Sequence, residues 1–198
     1  MVDEIDMKKM ETIKPFVKGE NILDVGSYRN KLHELLKLEF PKKTIIGLDI
    51  KKNDNVDLVV DLNSKKYSIK NESYDCIVAS EVIEHLSSPF DFLNECHRIL
   101  KYGGYLIITT PSIHSILYIL NIIHNDSEDQ HVYTWNFEQF NELVKRTKKF
   151  SIAHSGSFNL LIKKDFWMEW ITKLFPITRT NLVYVLEKTR FIYHHRKS

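Results

Sequence analysis

Glycine is scarce in this chain, six in 198 residues, and only Gly26 stands in the first loop where a strand-like run turns into a helix. A dinucleotide pocket needs a G-x-G-x-x-G loop so that the backbone can approach a pyrophosphate, and that loop is missing here. No P-loop lysine follows either, so phosphate binding finds little support. Cysteine is just as sparse: Cys76 lies in a strand-like run and Cys96 on a helix face. Neither metal spacing nor a disulfide framework links them, which fits a reduced, cytoplasmic chain. No apolar run reaches the roughly 18 residues that span a bilayer. Met1 to Met10 is charged and lacks the apolar stretch of a signal peptide. The formal charge of +2, from 28 basic and 26 acidic residues, demands no polyanionic partner. The short basic runs, Lys145 to Lys149 among them, read as solvated helix faces.

What is present is 43% hydrophobic and 27% charged, enough for one domain over residues 1–198 with a substantial core. Residues 1–19 form a polar lead-in, with Ile5, Met10 and Ile13 on a helix that caps the edge of the core. Ile22 to Val25 reads as a buried strand running into Gly26. Leu32, Leu35, Leu36 and Phe40 then recur at helical spacing until Pro41 stops them. Thr44 to Leu48 is a second strand, Val56 to Val60 a third, and Tyr74 to Ala79 a central fourth. Ser88-Pro89 opens a helix with Leu93, Cys96 and Leu100 on one face, ended by Tyr102-Gly103-Gly104. Tyr105 to Thr110 is a fifth strand. Ser112 to His124 is strongly apolar and reads as a packed helix. Asn136 and Gln139 form a capping box for the next helix. Ser151 to His154 and Leu182 to Leu186 complete the strands. This alternation predicts a doubly wound α/β sheet.

Strand, glycine turn and helix in that order make a nucleotide-type pocket, because the helix start offers free backbone N–H groups. A carboxylate at the tip of the neighbouring strand, Asp49, suits a bidentate grip on a ribose diol. An adenosine-bearing ligand without phosphates fits these features.

In order, Asn21-Ile-Leu-Asp-Val-Gly26, Asp49, Asp61-Leu62, the run Tyr74 to Leu86 (YDCIVASEVIEHL) and the run Leu100 to Pro111 (LKYGGYLIITTP) resemble the motifs of class I S-adenosylmethionine-dependent methyltransferases over about residues 20–150. The resemblance implies a Rossmann-like seven-stranded sheet, mostly parallel with an antiparallel last strand, and S-adenosylmethionine as cofactor. It sets Asp24 and Gly26 at the methionine end, Asp49 at the ribose, and Asp61 with Leu62 at the adenine. Ser80 and Glu81 fall near the sulfonium and the substrate entrance. Ser27, Tyr28 and Ile50 belong to the same cofactor-binding set.

Methyl transfer asks mainly for in-line positioning of a nucleophile, and an oxygen nucleophile also gains from a base or a metal ion. Glu81, Glu84 and His85 fall at i, i+3 and i+4, so a helical turn would give them one shared face. Glu81, His85 and the later His131 are the candidate catalytic residues, while Glu84 is common in the family as a structural helix start.

The pattern resembles ubiquinone-pathway and sugar O-methyltransferases, and equally the metal-assisted enzymes that methylate the terminal 2′-hydroxyl of small RNAs. The balanced charge favours a small-molecule or glycan acceptor over nucleic acid. Tyr28 and Asn30 stand where the family usually has glycines, which leaves open a degenerate fold that binds without catalysis. Apolar inserts at 112–124 and 158–177 are expected to form a lid or an interface. Peripheral membrane contact and a homodimer are the partners that such inserts would serve.

Overall fold

The computed structural model describes residues 4–28, 31–113, 132–158 and 181–189. Seven strands form one sheet: β1 (Asn21–Val25), β2 (Thr44–Asp49), β3 (Leu58–Val59), β4 (Tyr74–Ser80), β5 (Leu100–Pro111), β6 (Phe150–Phe158) and β7 (Asn181–Lys188). Their order is β3-β2-β1-β4-β5-β7-β6. All neighbours are parallel except β7, which runs antiparallel to both β5 and β6. The expected fold class is therefore the observed one. The chain starts at β1, steps outward to β3, and returns to lay β4 on the other side of β1. That reversal opens a crevice at the carboxyl ends of β1 and β4, where such sheets bind ligands.

Alternate residues of each buried strand serve opposite faces. On one face, Cys76, Val78, Ile107 and Val185 meet α1 (Glu4–Ile13) and α2 (Leu32–Glu39). On the other, Ile77, Ala79, Leu106 and Ile108 meet α3 (Pro89–Ile99) and α4 (Phe137–Thr147). Both helix starts foreseen on that face are built as expected. Ser88 Oγ accepts the Asp91 N–H, and Asn136 with Gln139 closes a reciprocal capping box.

Several expectations need correcting. The lead-in helix does not cap an edge: Met10 and Ile13 are buried on the α1/α2 face, while Ile5 is exposed. Leu100 is not on the α3 face but opens β5, paired with Tyr74. The glycines expected to stop the helix lie inside that strand, in a bulge between the Tyr74–Leu100 and Cys76–Tyr105 pairs. The third strand shrinks to two residues because Asp57 takes over the edge: its backbone N–H donates to Gly47 O and its carboxylate accepts from Gly47 N, both at 2.8 Å. β6 and β7 run longer than expected, since they pair with each other from Phe150–Lys188 to Phe158–Asn181. The inserts at 112–124 and 158–177 lie outside the described residues apart from their first residues. Among those, Ser112 bridges to Trp135. No helix among the described residues is long and apolar enough to cross a membrane.

Candidate active site

At the end of β1 the chain turns through Gly26 at φ +82°, and a Cβ there would stand 2.5 Å from a Val82 methyl. Gly26 N and Ser27 N both donate to Leu48 O, at 2.8 and 3.2 Å, which pins the loop to β2. Ser27 is buried, and its hydroxyl donates to Asn55 O at 3.0 Å. That contact needs Gly47: a Cβ on it would fall 1.8 Å from the same carbonyl oxygen. Ser27 thus braces the loop from below and leaves the open wall to Tyr28. Tyr28 does not take a positive φ, so its lack of glycine's freedom costs the loop nothing. Asn30 lies outside the described residues.

Asp49, at the tip of β2, is held by one backbone donor on each oxygen. Tyr28 N donates to Oδ2 and Lys51 N to Oδ1, both at 3.2 Å. Each oxygen keeps lone-pair capacity toward the opening.

Asp24 does not reach the opening. It is fully buried beneath the loop, with Oδ2 3.0 Å from Nδ1 of the equally buried His33. Burial pushes its carboxyl above the usual range, and the hydrogen bond to His33 opposes that. Among the described residues Asp24 Oδ1 and His33 Nε2 find no hydrogen-bond partner. Sequence reasoning missed His33. Its signal was a polar residue inside the apolar stripe of α2, next to Leu32 and a turn before Leu36.

The crevice itself has a volume of about 620 Å³. Gly26, Tyr28, Asp49, Ile50, Lys51 and Leu62 line one side; Ser80, Glu81, Val82, His85 and Leu86 line the other. Asp6 and Lys9, one turn apart on α1, close a third side, a role that the sequence reading did not assign. Ile50 is 57% exposed and gives this wall an apolar patch. Leu62 is presented by Tyr67, whose hydroxyl donates to the Leu62 carbonyl at 2.9 Å. Asp61 is exposed and absent from the wall; its carboxylate accepts the Asn63 N–H at 2.9 Å and starts a turn.

The shared face expected for Glu81, Glu84 and His85 does not form. Only Ile83–His85 makes a short 3-10 turn, and Glu81 precedes it at φ +56°. The Glu81 N–H donates to Thr109 O at 2.9 Å. Its Oε1 accepts from Thr109 Oγ1 at 3.0 Å and from Asn181 Nδ2 at 2.9 Å. Glu84 turns the other way, into the core, where Oε2 accepts from Thr110 Oγ1 at 3.0 Å. Thr109 and Thr110 are successive residues of β5 and point to opposite faces, so the two glutamates part. Burial, and after it the charge of Glu81, push the Glu84 carboxyl up to about 8. The Glu84 carbonyl accepts the N–H groups of Val132 and Tyr133, anchoring the approach to α4. Glu84 is thus structural, whereas His85 is exposed on the crevice wall with Glu81. His131 lies outside the described residues.

Comparison with known proteins gives this geometry a context. A family model described as a methyltransferase domain matches residues 5–148. The ubiquinone biosynthesis O-methyltransferase of Roseobacter denitrificans is 27% identical over 169 residues, covering 77% of this chain and 65% of that protein. The mitochondrial enzyme of the same description from Rattus norvegicus is 40% identical over 55 residues, covering 28% of this chain and 16% of that protein. The matches thus span less than two thirds of either relative. In fold, the chain is similar to a SAM-dependent methyltransferase from Archaeoglobus fulgidus, with a TM-score of 0.69 at 20% identity, covering 94% of this chain and 95% of that one.

Proposed function

Because the chain belongs to the methyltransferase domain family, that of the class I S-adenosylmethionine-dependent methyltransferases, we propose that it methylates an oxygen of a small-molecule or glycan-type acceptor. The observation that carries this reading is Asp49, fixed at the mouth of the crevice by the N–H groups of Tyr28 and Lys51. Two carboxylate oxygens with spare lone pairs suit a vicinal diol. A volume of about 620 Å³ lies within the ordinary range for a cofactor of this size. In this reading Asp49 takes the ribose hydroxyls, while Ile50 and Leu62, with Asp61 behind them, flank the adenine. Gly26, Ser27, Tyr28 and the buried Asp24 shape the methionine end, and Ser80 borders the methyl group.

When bound, S-adenosylmethionine supplies an electrophilic methyl carbon with a good leaving group. Gly26, Tyr28, Asp49 and Leu62 would hold it in the crevice, with its methyl carbon available to the acceptor oxygen. The hydroxyl proton passes to the protein, and Glu81 and His85 are the crevice-lining groups suited to take it. Glu81 is the better candidate because its carboxylate is held in one orientation. At this end of the sheet Phe158 and Pro111 flank Asn181 across the last rung. The inserts at 112–124 and 158–177 would therefore form the acceptor's lid, with a homodimer or membrane contact as further uses of their apolar surface. The oxygen acceptor accords with the ubiquinone biosynthesis O-methyltransferases to which the chain is similar, and two buried free thiols accord with a cytoplasmic setting.

Two other readings fare less well. A metal-assisted RNA 2′-O-methyltransferase would want Glu84 beside Glu81 and His85, yet Glu84 turns to Thr110. A degenerate fold would follow from an impaired loop at Tyr28 and Asn30; the Tyr28 backbone needs no glycine, and Asn30 lies outside the described residues. A screen with methyl-labelled cofactor against quinol precursors, sugars and short RNAs tests the acceptor class. In calorimetry with S-adenosylhomocysteine, Asp49→Ala is expected to weaken binding about 10–100-fold, the worth of hydrogen bonds to a charged group. Unchanged affinity would overturn the assignment.

A further inference from the structure

Asn181 begins β7, a hundred residues beyond Glu81 in the sequence, and is buried. It pairs with Pro111 of β5, and Val183 pairs with Thr109. Residues two apart on a strand share a face, so Thr109 and Asn181 stand as diagonal neighbours on one side of the sheet. That side is the one α1 covers, and Glu81 reaches it from the tip of β4. Both neighbours aim a donor at the same atom: Thr109 Oγ1 and Asn181 Nδ2 lie 3.0 and 2.9 Å from Glu81 Oε1. Ser80 Oγ lies 2.8 Å from Thr109 Oγ1. A hydroxyl has one proton, and that of Thr109 goes to Glu81, so Ser80 donates to Thr109. The result is a directed chain, Ser80 to Thr109 to Glu81, joined at its end by the Asn181 amide. Among the described residues no donor reaches Oε2, and Glu81 lines the crevice. Left-handed backbone at a non-glycine residue costs energy, and here the Glu81 N–H bond to Thr109 O helps hold it.

We propose that Asn181 is a positioning residue for methyl transfer: with Thr109 it locks Oε1 of Glu81 and so aims Oε2 at the acceptor hydroxyl. The inference rests on the reading of Glu81 as the acceptor-side carboxylate. It also assigns β7, whose insertion makes this sheet mixed, a part in the chemistry.

The experiment is a pair of double-mutant cycles on the full chain, with Asn181→Leu, Glu81→Ala and their combination; Thr109→Val replaces Asn181→Leu in the second. Urea unfolding reads whether the contact exists. The folding equilibrium constant should show a coupling of at least about fivefold between positions 181 and 81. Independence of the two positions would overturn the clamp whatever the activity. Kinetics reads what the contact does. Asn181→Leu is expected to lower kcat about tenfold and to leave S-adenosylhomocysteine affinity within about twofold. It should add nothing in the Glu81→Ala background. Additive losses, or a parallel loss of cofactor affinity, would reduce Asn181 to a fold residue. If stability coupling is present while Glu81→Ala keeps full kcat, the role of Glu81 fails instead, and the two failures are told apart.

Discussion

Glu81 and Glu84 are three residues apart and live in different solvents. Glu81 has two donors on one oxygen and lines the crevice; Glu84 has Thr110 and a surrounding core. Burial, and after it the nearby charge of Glu81, hold the Glu84 carboxyl well above the usual carboxylate range. The sign for stability follows. An ordinary glutamate releases its proton near 4.5, and Glu84 holds it in the native state up to about 8. Between those values the native state binds more protons than the unfolded state, so stability falls as pH rises. The slope approaches about 1.4 kcal/mol per pH unit. Glu84→Gln has no such proton to lose. Its stability relative to the parent chain is expected to rise steadily between pH 5 and 8 in urea unfolding. Parallel pH curves for the two chains would contradict the burial argument.

At the scale of elements, α3 does more than fill the core. Glu95 Oε2 accepts the Tyr67 N–H at 2.8 Å, and Arg98 donates to the Tyr67 carbonyl at 3.1 Å and to Ile69 O at 2.7 Å. Arg98 and Glu95 also bond each other. Tyr67, so fastened, passes the restraint to Leu62 through its hydroxyl. A helix on the far side of the sheet edge thereby sets one wall of the crevice. Tyr67→Phe keeps the ring in the core and removes only the last link. It is expected to weaken S-adenosylhomocysteine binding about fivefold, the worth of one neutral hydrogen bond, with little change in kcat once cofactor saturates. Calorimetry and a cofactor titration of the rate check this. An unchanged dissociation constant would show that Leu62 holds its place without Tyr67.

For the whole molecule, the strand order decides where a ligand can sit. The loop after β1, the tip of β2 and the turn after β4 converge only because β1 lies between β2 and β4. A ligand held by all three ties the two halves of the sheet together and stabilises the native state by mass action. Saturation with S-adenosylhomocysteine at about 100 times its dissociation constant is expected to add about 2.7 kcal/mol, read as a rise in Tm. Asp49→Ala at the same ligand concentration should lose at least about half of that rise.

The chain alone determined a good deal of this. Branched apolar runs, one glycine turn and two capped helices specify a doubly wound sheet, because burial patterns and caps are local properties. Asp49 and Gly26 were legible for the same reason: each sits at a strand tip whose position follows from its own neighbours. Tertiary structure alone decided the rest. Spacing put Glu81, Glu84 and His85 on one helical face, but the backbone at Glu81 is left-handed and β5 offers successive threonines to opposite sides. His33 under the loop, Lys9 on the wall and Asn181 on Glu81 join residues far apart in sequence, or hidden within an apolar stripe. Such contacts depend on which strands become neighbours, and no local periodicity carries that information.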